Sequence, residues 1–465
     1  MERGPPRRRP SGHPRGHPEE HALATSLPRS RARRRARACC ALPAALLAAA
    51  ACGTAAGSAA VDPQAVGPAS GRITWYAINF GPEGLPERLI SAFEEDHPDI
   101  SVEYQPAPNN TDTMRATLTT EISGGSGAID VYNGDIIWPA QFGSATLAMP
   151  LDEHLPDDFW DRYPEQRAEA VEYEGEHLAA PLYGDAGFLY YRKDLLQRHG
   201  LEVPRTWEEL AETAARLQDE GEVKYGYVAQ WANYEGLTVN WTELSAAAGG
   251  RSISRDGDRA AIDSPANRRV LDFMRGMLQD DVVPSATNSF QEPQSLQTFV
   301  EGDAAFHRNW SHGYSESNNP EVSRVAGKVG VAPLPAFEGE EPPGPSALAG
   351  WNLMVNPHSD AVGAVLAFIE WMTGDEAQRI LAENTVLPAV RDVLEDPGLR
   401  RENPVLDLAA DVPLVARPAE TPRYAQVSNG IFTNLNAALT GATSPRSALR
   451  AAEEDIQRAL EGDAL

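Results

Sequence analysis

Residues 72–105 read RITWYAINFGPEGLPERLISAFEEDHPDISVEYQ, and this stretch decides the fold class. Residues 72–79 are dense in β-branched and aromatic side chains and predict a strand. Gly81 and Gly84 break it. Over 86–97 the apolar residues Leu89, Ile90 and Phe93 recur at helical spacing. Residues 100–105 predict the next strand. Strand, helix and strand in that order imply a parallel pair joined by a right-handed crossover.

The same alternation continues outward. A helix over 113–123 is closed by Gly124-Gly125, and a strand over 129–133 runs into Gly134-Asp135. A short helix follows over 138–145. Residues 188–192 predict a strand, and 193–200 a helix stopped by Gly200. The clearest amphipathic segment is 206–220, with Trp207, Leu210, Ala214 and Leu217 on one face and Thr206 as N-cap. A strand over 225–228 precedes a helix over 264–279, whose apolar face carries Ala266, Val270, Phe273 and Met277. Another helix covers 295–302. The last third is mostly helical, over 361–373, 376–384, 424–440 and 445–460. The chain is therefore expected to be an α/β protein with doubly wound sheets, which bind ligands beyond the C-terminal ends of their strands. Asp135, Trp138, Tyr183 and Asp185 fall at such ends and point to a polar ligand.

With 465 residues, the chain is too long for one ordinary core and suits two lobes of roughly 200 residues. Forty basic and 67 acidic residues give a net charge of −27. Eleven Arg and three Glu within residues 1–38 contribute +8, so the remainder stands at −35. A body this acidic repels phosphate backbones, which argues against nucleic acid as a partner. The three cysteines, Cys39, Cys40 and Cys52, all precede Gly53, leaving the body without a disulfide or a thiolate metal site. The ten His form no HExxH and no paired zinc spacing. Asp256, Asp258 and Asp263 lack the spacing of a calcium loop and read as a turn. No cofactor is expected. There is no P-loop, so any ATP would be used by a partner.

The N-terminus reads as an address. Residues 29–37, RSRARRRAR, form a basic n-region, and the apolar run over 39–51 is too short to span a bilayer. Ala49, Ala50 and Ala51 precede Cys52, a pattern that resembles a bacterial lipobox. Residues 1–52 are thus expected to be a signal peptide with Cys52 as the lipidated residue, anchoring the chain to the outer face of the cell membrane. The other reading is an ordinary secretory peptide with an incidental cysteine. Residues 53–70, rich in Ala, Gly and Pro, predict a flexible tether.

Six further segments carry a family resemblance. They are IDVYNGDIIWPAQFGSATLAMPLDEHL (129–155), PLYGDAGFLYYRKDLLQRHGLEVPRTWEEL (181–210), YGYVAQWANYEGLTVNWTELSAAAGG (225–250), FVEGDAAFHRNWSHGY (299–314), GWNLMVNPHS (350–359) and RPAETPRYAQVSNGIFTNLNAALTG (417–441). In order and content the chain resembles extracellular solute-binding proteins of the maltose-binding type, most closely the trehalose/maltose branch. The resemblance implies a periplasmic-binding-protein-like fold: two α/β lobes with a ligand cleft between them, joined by crossing strands near 182–187, 303–310 and 347–352. It also implies an N-terminal lobe of 72–182 plus 311–348 and a C-terminal lobe of 183–310 plus 349–465. The function implied is a lipid-anchored binding protein that delivers a disaccharide or small oligosaccharide to ABC permease subunits.

For the ligand site, the resemblance marks Trp310 and Trp351 as stacking platforms for the apolar faces of a sugar. Asp135 is marked as an acceptor from sugar hydroxyls, or else a helix cap. Tyr183 and Asp185 form a ligand-facing pair or hinge hydrogen bonds. Glu83 in the Gly-rich loop, Glu292 as a sugar contact or else a helix cap, and the donors Arg115 and Arg417 complete the polar set. Gly350 lets backbone approach the sugar beside Trp351. Trp231, Tyr234, Glu235 and Trp241 form a second cluster, read as core packing. Another class of function stays open, a secreted glycoside hydrolase, because it too lines a sugar cleft with carboxylates and Trp. So does binding of a different neutral solute.

Overall fold

The computed structural model describes residues 66–419 and 421–462. The expected signal peptide, Cys52 and residues 53–65 of the tether lie outside them. Fourteen strands are described: β1 (Gly71–Ala77), β2 (Ile100–Pro106), β3 (Val131–Asp135), β4 (Glu172–Tyr173), β5 (Glu176–His177), β6 (Ala180–Asp185), β7 (Phe188–Arg192), β8 (Tyr225–Val228), β9 (Ala304–Asn309), β10 (Val329–Ala332), β11 (Ser346–Ala347), β12 (Ala349–Val355), β13 (Leu387–Pro388) and β14 (Leu414–Val415). They build two main sheets. The first runs β13-β6-β12-β3-β1-β2 and the second β10-β7-β9-β8.

The opening β-α-β reading holds. β1 pairs in parallel with both β2 and β3, and the helix Leu85–Asp96 between β1 and β2 buries Leu89, Ile90 and Phe93. β3 begins two residues later than the sequence predicts. Asp130 explains the shift, because its carboxylate accepts from the Thr74 N–H at 2.8 Å and from Ser359 Oγ at 2.6 Å. It anchors the entry, and the strand then extends through Asp135. The helix Trp207–Asp219 starts on the expected Thr206 cap, completed by Glu209 as a reciprocal capping box. On the helix Pro265–Gln279, Leu271 and Met274 join Val270 and Met277 in the core, while Phe273 and Ala266 pack at its edge.

Each sheet has its own core. One joins β1, β3, β6 and β12 to the helices Leu85–Asp96, Thr111–Ser123, Val362–Met372 and Asp375–Glu383. The other joins β7, β8 and β9 to the helices Trp207–Asp219, Glu235–Ala247, Pro265–Gln279, Tyr424–Leu439 and Pro445–Glu461. These are two α/β lobes, but their partition corrects the expected one. β10 lies within 311–348, yet it pairs antiparallel with β7 of the second sheet. β12 pairs antiparallel with β3 and β6, so 349–355 belongs to the first sheet. The chain changes sheets at 186–187, between β6 and β7, and at 348, between β11 and β12. Residues 303–310 make no crossing, because β9 and β10 share a sheet. The third crossing instead lies between β13 of the first sheet and β14, which pairs in parallel with β11 ahead of the helix Tyr424–Leu439.

The first two crossings are tied together. Ser346 Oγ accepts from the Gly187 N–H at 2.5 Å and donates to the Gly187 carbonyl at 2.9 Å. The Ala347 N–H donates to Glu243 at 3.2 Å, and Glu243 is locked to Arg308 in a buried two-point ion pair.

Candidate functional site

A cavity of about 250 Å³ lies between the lobes. Its floor on the first lobe is fixed by strand register. Trp351 in β12 sits opposite Asp135 in β3 on one side and Tyr183 in β6 on the other. Three adjacent strands therefore present these side chains in one row. Beside the row, Gly350 has φ +150°, and a Cβ there would approach the Tyr183 carbonyl oxygen to 2.5 Å. Glycine is required at this point because β6 and β12 converge too closely for a side chain. This strand approach is a packing reason for Gly350, distinct from the approach of backbone to a sugar expected from the sequence.

The second lobe faces this floor with Tyr234, Glu235, Glu292, Trp310, His312 and Glu316. Of the ten residues expected at a ligand site, eight line the cavity: Asp135, Tyr183, Asp185, Glu292, Trp310, Gly350, Trp351 and Arg417. Glu83 and Arg115 do not. Glu83 is exposed on the loop before the helix Leu85–Asp96, and its neighbours Phe80 and Gly81 line the cavity in its stead. Arg115 points along its own helix toward Asp112, 3.7 Å away.

Several alternatives left open by sequence are resolved by hydrogen bonds. Glu292 is no cap, because Gln291 holds the N-cap position of that helix. Its carboxylate accepts instead from Tyr234 OH at 2.9 Å and Trp310 Nε1 at 3.4 Å. Asp135 serves both as a local brace and as an ion-pair partner, since one oxygen accepts from the Ile137 N–H at 3.3 Å and from Arg417 at 2.9 Å. Asp185 accepts from the backbone N–H groups of Ala186 and Ser311, both at 2.9 Å, which ties the end of β6 to the second lobe. The Arg308 guanidinium lies 4.0 Å from the Trp310 ring centre, fixing the indole while it still lines the cavity.

Tyr234 and Glu235, expected in the core, are buried and also line the cavity. Trp231 and Trp241, from the same cluster, are buried in the second lobe's core as expected. The missed signal is position: Glu235 opens a helix, so its side chain lies at the end that faces the cavity. Glu235 accepts from Arg417 at 2.9 Å, Tyr424 OH at 2.7 Å and Ser428 Oγ at 2.5 Å. Arg417 therefore bridges Asp135 of one lobe and Glu235 of the other.

Burial dominates the electrostatics. It pushes Glu235 up to about 7, with Arg417 pulling the other way and Asp112 adding to the rise. It pushes Asp185 up to about 6 against the two N–H donors and Arg308, and Glu316 up to about 7. His312 is driven down to about 4, by burial first and then by Arg308, which keeps its ring neutral. Arg417 loses solvation, but the negative groups around it outweigh that loss and hold it charged. Four buried polar atoms of cavity-lining side chains, Thr111 Oγ1, Ser311 Oγ, Glu316 Oε2 and Arg417 Nε, have no partner among the described residues. The lining thus carries an unpaired guanidinium donor, an unpaired carboxyl oxygen and two unpaired hydroxyls. No group of three or more His, Cys, Asp or Glu among the described residues is placed to hold a metal. Among the described residues no helix is long and apolar enough to cross a membrane.

Comparison with known proteins agrees with this geometry. A probable ABC transporter-binding protein of Deinococcus radiodurans is 30% identical over 369 residues, covering 77% of this chain and 86% of that protein. A mannitol-binding protein of Pseudomonas aeruginosa is 28% identical over 400 residues, covering 80% and 89%. The structure of maltose-bound T. maritima MalE3 superposes with a TM-score of 0.78 at 32% identity, covering 83% of this chain and 99% of that one. Residues 82–379 match the sequence profile of the bacterial extracellular solute-binding proteins. That match, carried on two lobes facing one cavity, makes this chain a member of the bacterial extracellular solute-binding protein family.

Proposed function

We propose that this chain is the substrate-binding lipoprotein of an ABC-type carbohydrate importer, taking a disaccharide such as trehalose or maltose into the interlobe cleft and delivering it to the permease. The observation that carries the reading is the lining itself. Trp310 and Trp351 supply apolar faces for sugar C–H surfaces, and Asp135, Asp185, Glu235, Glu292 and Glu316 supply acceptors for hydroxyls. Arg417 supplies the donor. A hydroxyl that fails to meet its partner leaves a buried group unpaired, at about 1–3 kcal/mol, and this cost sets the selectivity.

The relatives give independent support, since one is named a mannitol-binding protein and a structural neighbour holds maltose. The first of these also keeps a sugar alcohol in view as a second reading. A thermal-shift panel of trehalose, maltose, glucose and mannitol separates them, because a ligand that binds only the folded chain raises its melting temperature. A rise with a disaccharide is expected. A rise with mannitol alone would move the assignment to polyols, and no rise with any of them would sink it. Incubation with trehalose or maltose should release no glucose; release at enzymatic rates would favour the hydrolase. Anchoring through Cys52 is part of the same proposal, and Cys52→Ser should shift the protein from the membrane fraction to the soluble one.

A further inference from the structure

Between the lobes, at the edge of the cavity, one contact has the form of a helix cap. The helix Glu235–Ala247 begins at Tyr234, whose side chain makes no cap. Its first helical N–H, that of Glu235, donates instead to Asp112 Oδ2 at 3.1 Å. Asp112 belongs to the helix Thr111–Ser123 of the other lobe. Arg115, one turn on, lies 3.7 Å from its second oxygen. A carboxylate at a helix N-terminus satisfies an orphan donor and meets the positive end of the helix dipole. The two partners are packed into different cores, so this bond exists only while the lobes are together.

We propose that Asp112 is a closure latch, a positioning residue that caps the helix Glu235–Ala247 across the cleft and so sets how tightly solute is held without touching it. The effect on solute retention rests on the reading of the cleft as the solute site. The cap also works on Glu235, because it holds the start of the helix from which that side chain reaches Arg417. Opening the cleft therefore breaks the cap and strains the Asp135–Arg417–Glu235 bridge together. Arg115, outside the cavity, steadies the latch from its own helix.

The test is amide hydrogen exchange on the full chain, read at Glu235, for the parent, Asp112→Ala and Asp112→Asn. First-turn helical N–H groups have no intrahelical acceptor, so protection at Glu235 reports the cap directly. Asp112→Ala should speed exchange there about fivefold, the equivalent of one lost cap. Asp112→Asn keeps an acceptor oxygen and should stay near the parent. Equal exchange in all three chains overturns the latch, and so does an unprotected Glu235 in the parent. Adding trehalose or maltose separates the two proposals. Protection that responds to Asp112 but to no sugar leaves the latch standing and removes the sugar assignment. Where sugar does bind, Asp112→Ala should weaken it about fivefold through faster release, and an unchanged release rate would overturn the retention role.

Discussion

Replacing Gly350 with alanine tests the floor of the cleft at its tightest point. Three effects add. An alanine held at φ +150° costs about 1–3 kcal/mol of backbone strain. Its Cβ would stand 2.5 Å from the Tyr183 carbonyl oxygen and 3.1 Å from Gly184 Cα, where ordinary contact starts at 3.4 Å. Both obstacles are backbone atoms, so no side chain can swing aside. β6 and β12 must part by up to 0.9 Å (3.4 less 2.5), at about 1–3 kcal/mol for overpacking. Against this, alanine restricts the unfolded chain and returns about 0.4–1 kcal/mol. The net loss is about 1–5 kcal/mol, and at about 2–4 °C per kcal/mol a central value of about 3 lowers Tm by about 6–12 °C. Because Trp351 and Tyr183 flank the displaced bond, sugar affinity should fall in the same variant. Calorimetric melting followed by titration measures both. A melting temperature within about 2 °C of the parent, with unchanged affinity, would refute the claim that close strand approach at Gly350 builds the cleft floor.

Two further outcomes follow from the site. Trp310→Ala should weaken sugar binding by about ten- to a hundredfold, as loss of a central aromatic anchor does; an unchanged calorimetric Kd would remove Trp310 from the site. Glu316→Gln should stabilise the chain at pH 8, by up to about 3 kcal/mol. Burial raises the folded carboxyl to about 7 from an ordinary value of 4.5, so its ionised form is the costly one above pH 7. The gain should shrink as pH falls from 7 toward 4.5, where folded and unfolded chains both carry the proton; melts whose difference grows on acidification would contradict it.

Most of the secondary structure was legible because it is written locally. Thr206 with Glu209, Ser264 with Pro265, and the Leu89-Ile90-Phe93 stripe each fix an element within a few residues. The division into lobes was not, because it depends on β12 returning antiparallel between β3 and β6, more than 160 residues after β6. Nothing near Trp351 encodes that partner choice. The site divides the same way. Asp135 and Tyr183 fall toward strand ends and Trp351 lies in a segment carrying the family resemblance, so all three could be marked in advance, whereas Glu316 and His312 come to the cavity through a short helix, Gly313–Asn318, and the turn before it. Tyr234 and Glu235 were hidden by their neighbours, since Trp231 and Trp241 made the whole segment look like core. Arg115 failed for a steric reason: it lies one turn along from the residue that actually reaches the other lobe.

The Ser346–Gly187 tie bears on how the molecule can signal. A hydroxyl that both gives to and takes from the backbone of a single residue resists sliding of the two connecting strands past each other. Such a tie favours rotation about the knot, a door on a pin, over two plates in shear. A membrane partner then needs to sense only one angle to tell a laden receptor from an empty one, and any change at Ser346 that loosens the pin would blur that signal even if the cargo were held as firmly as before.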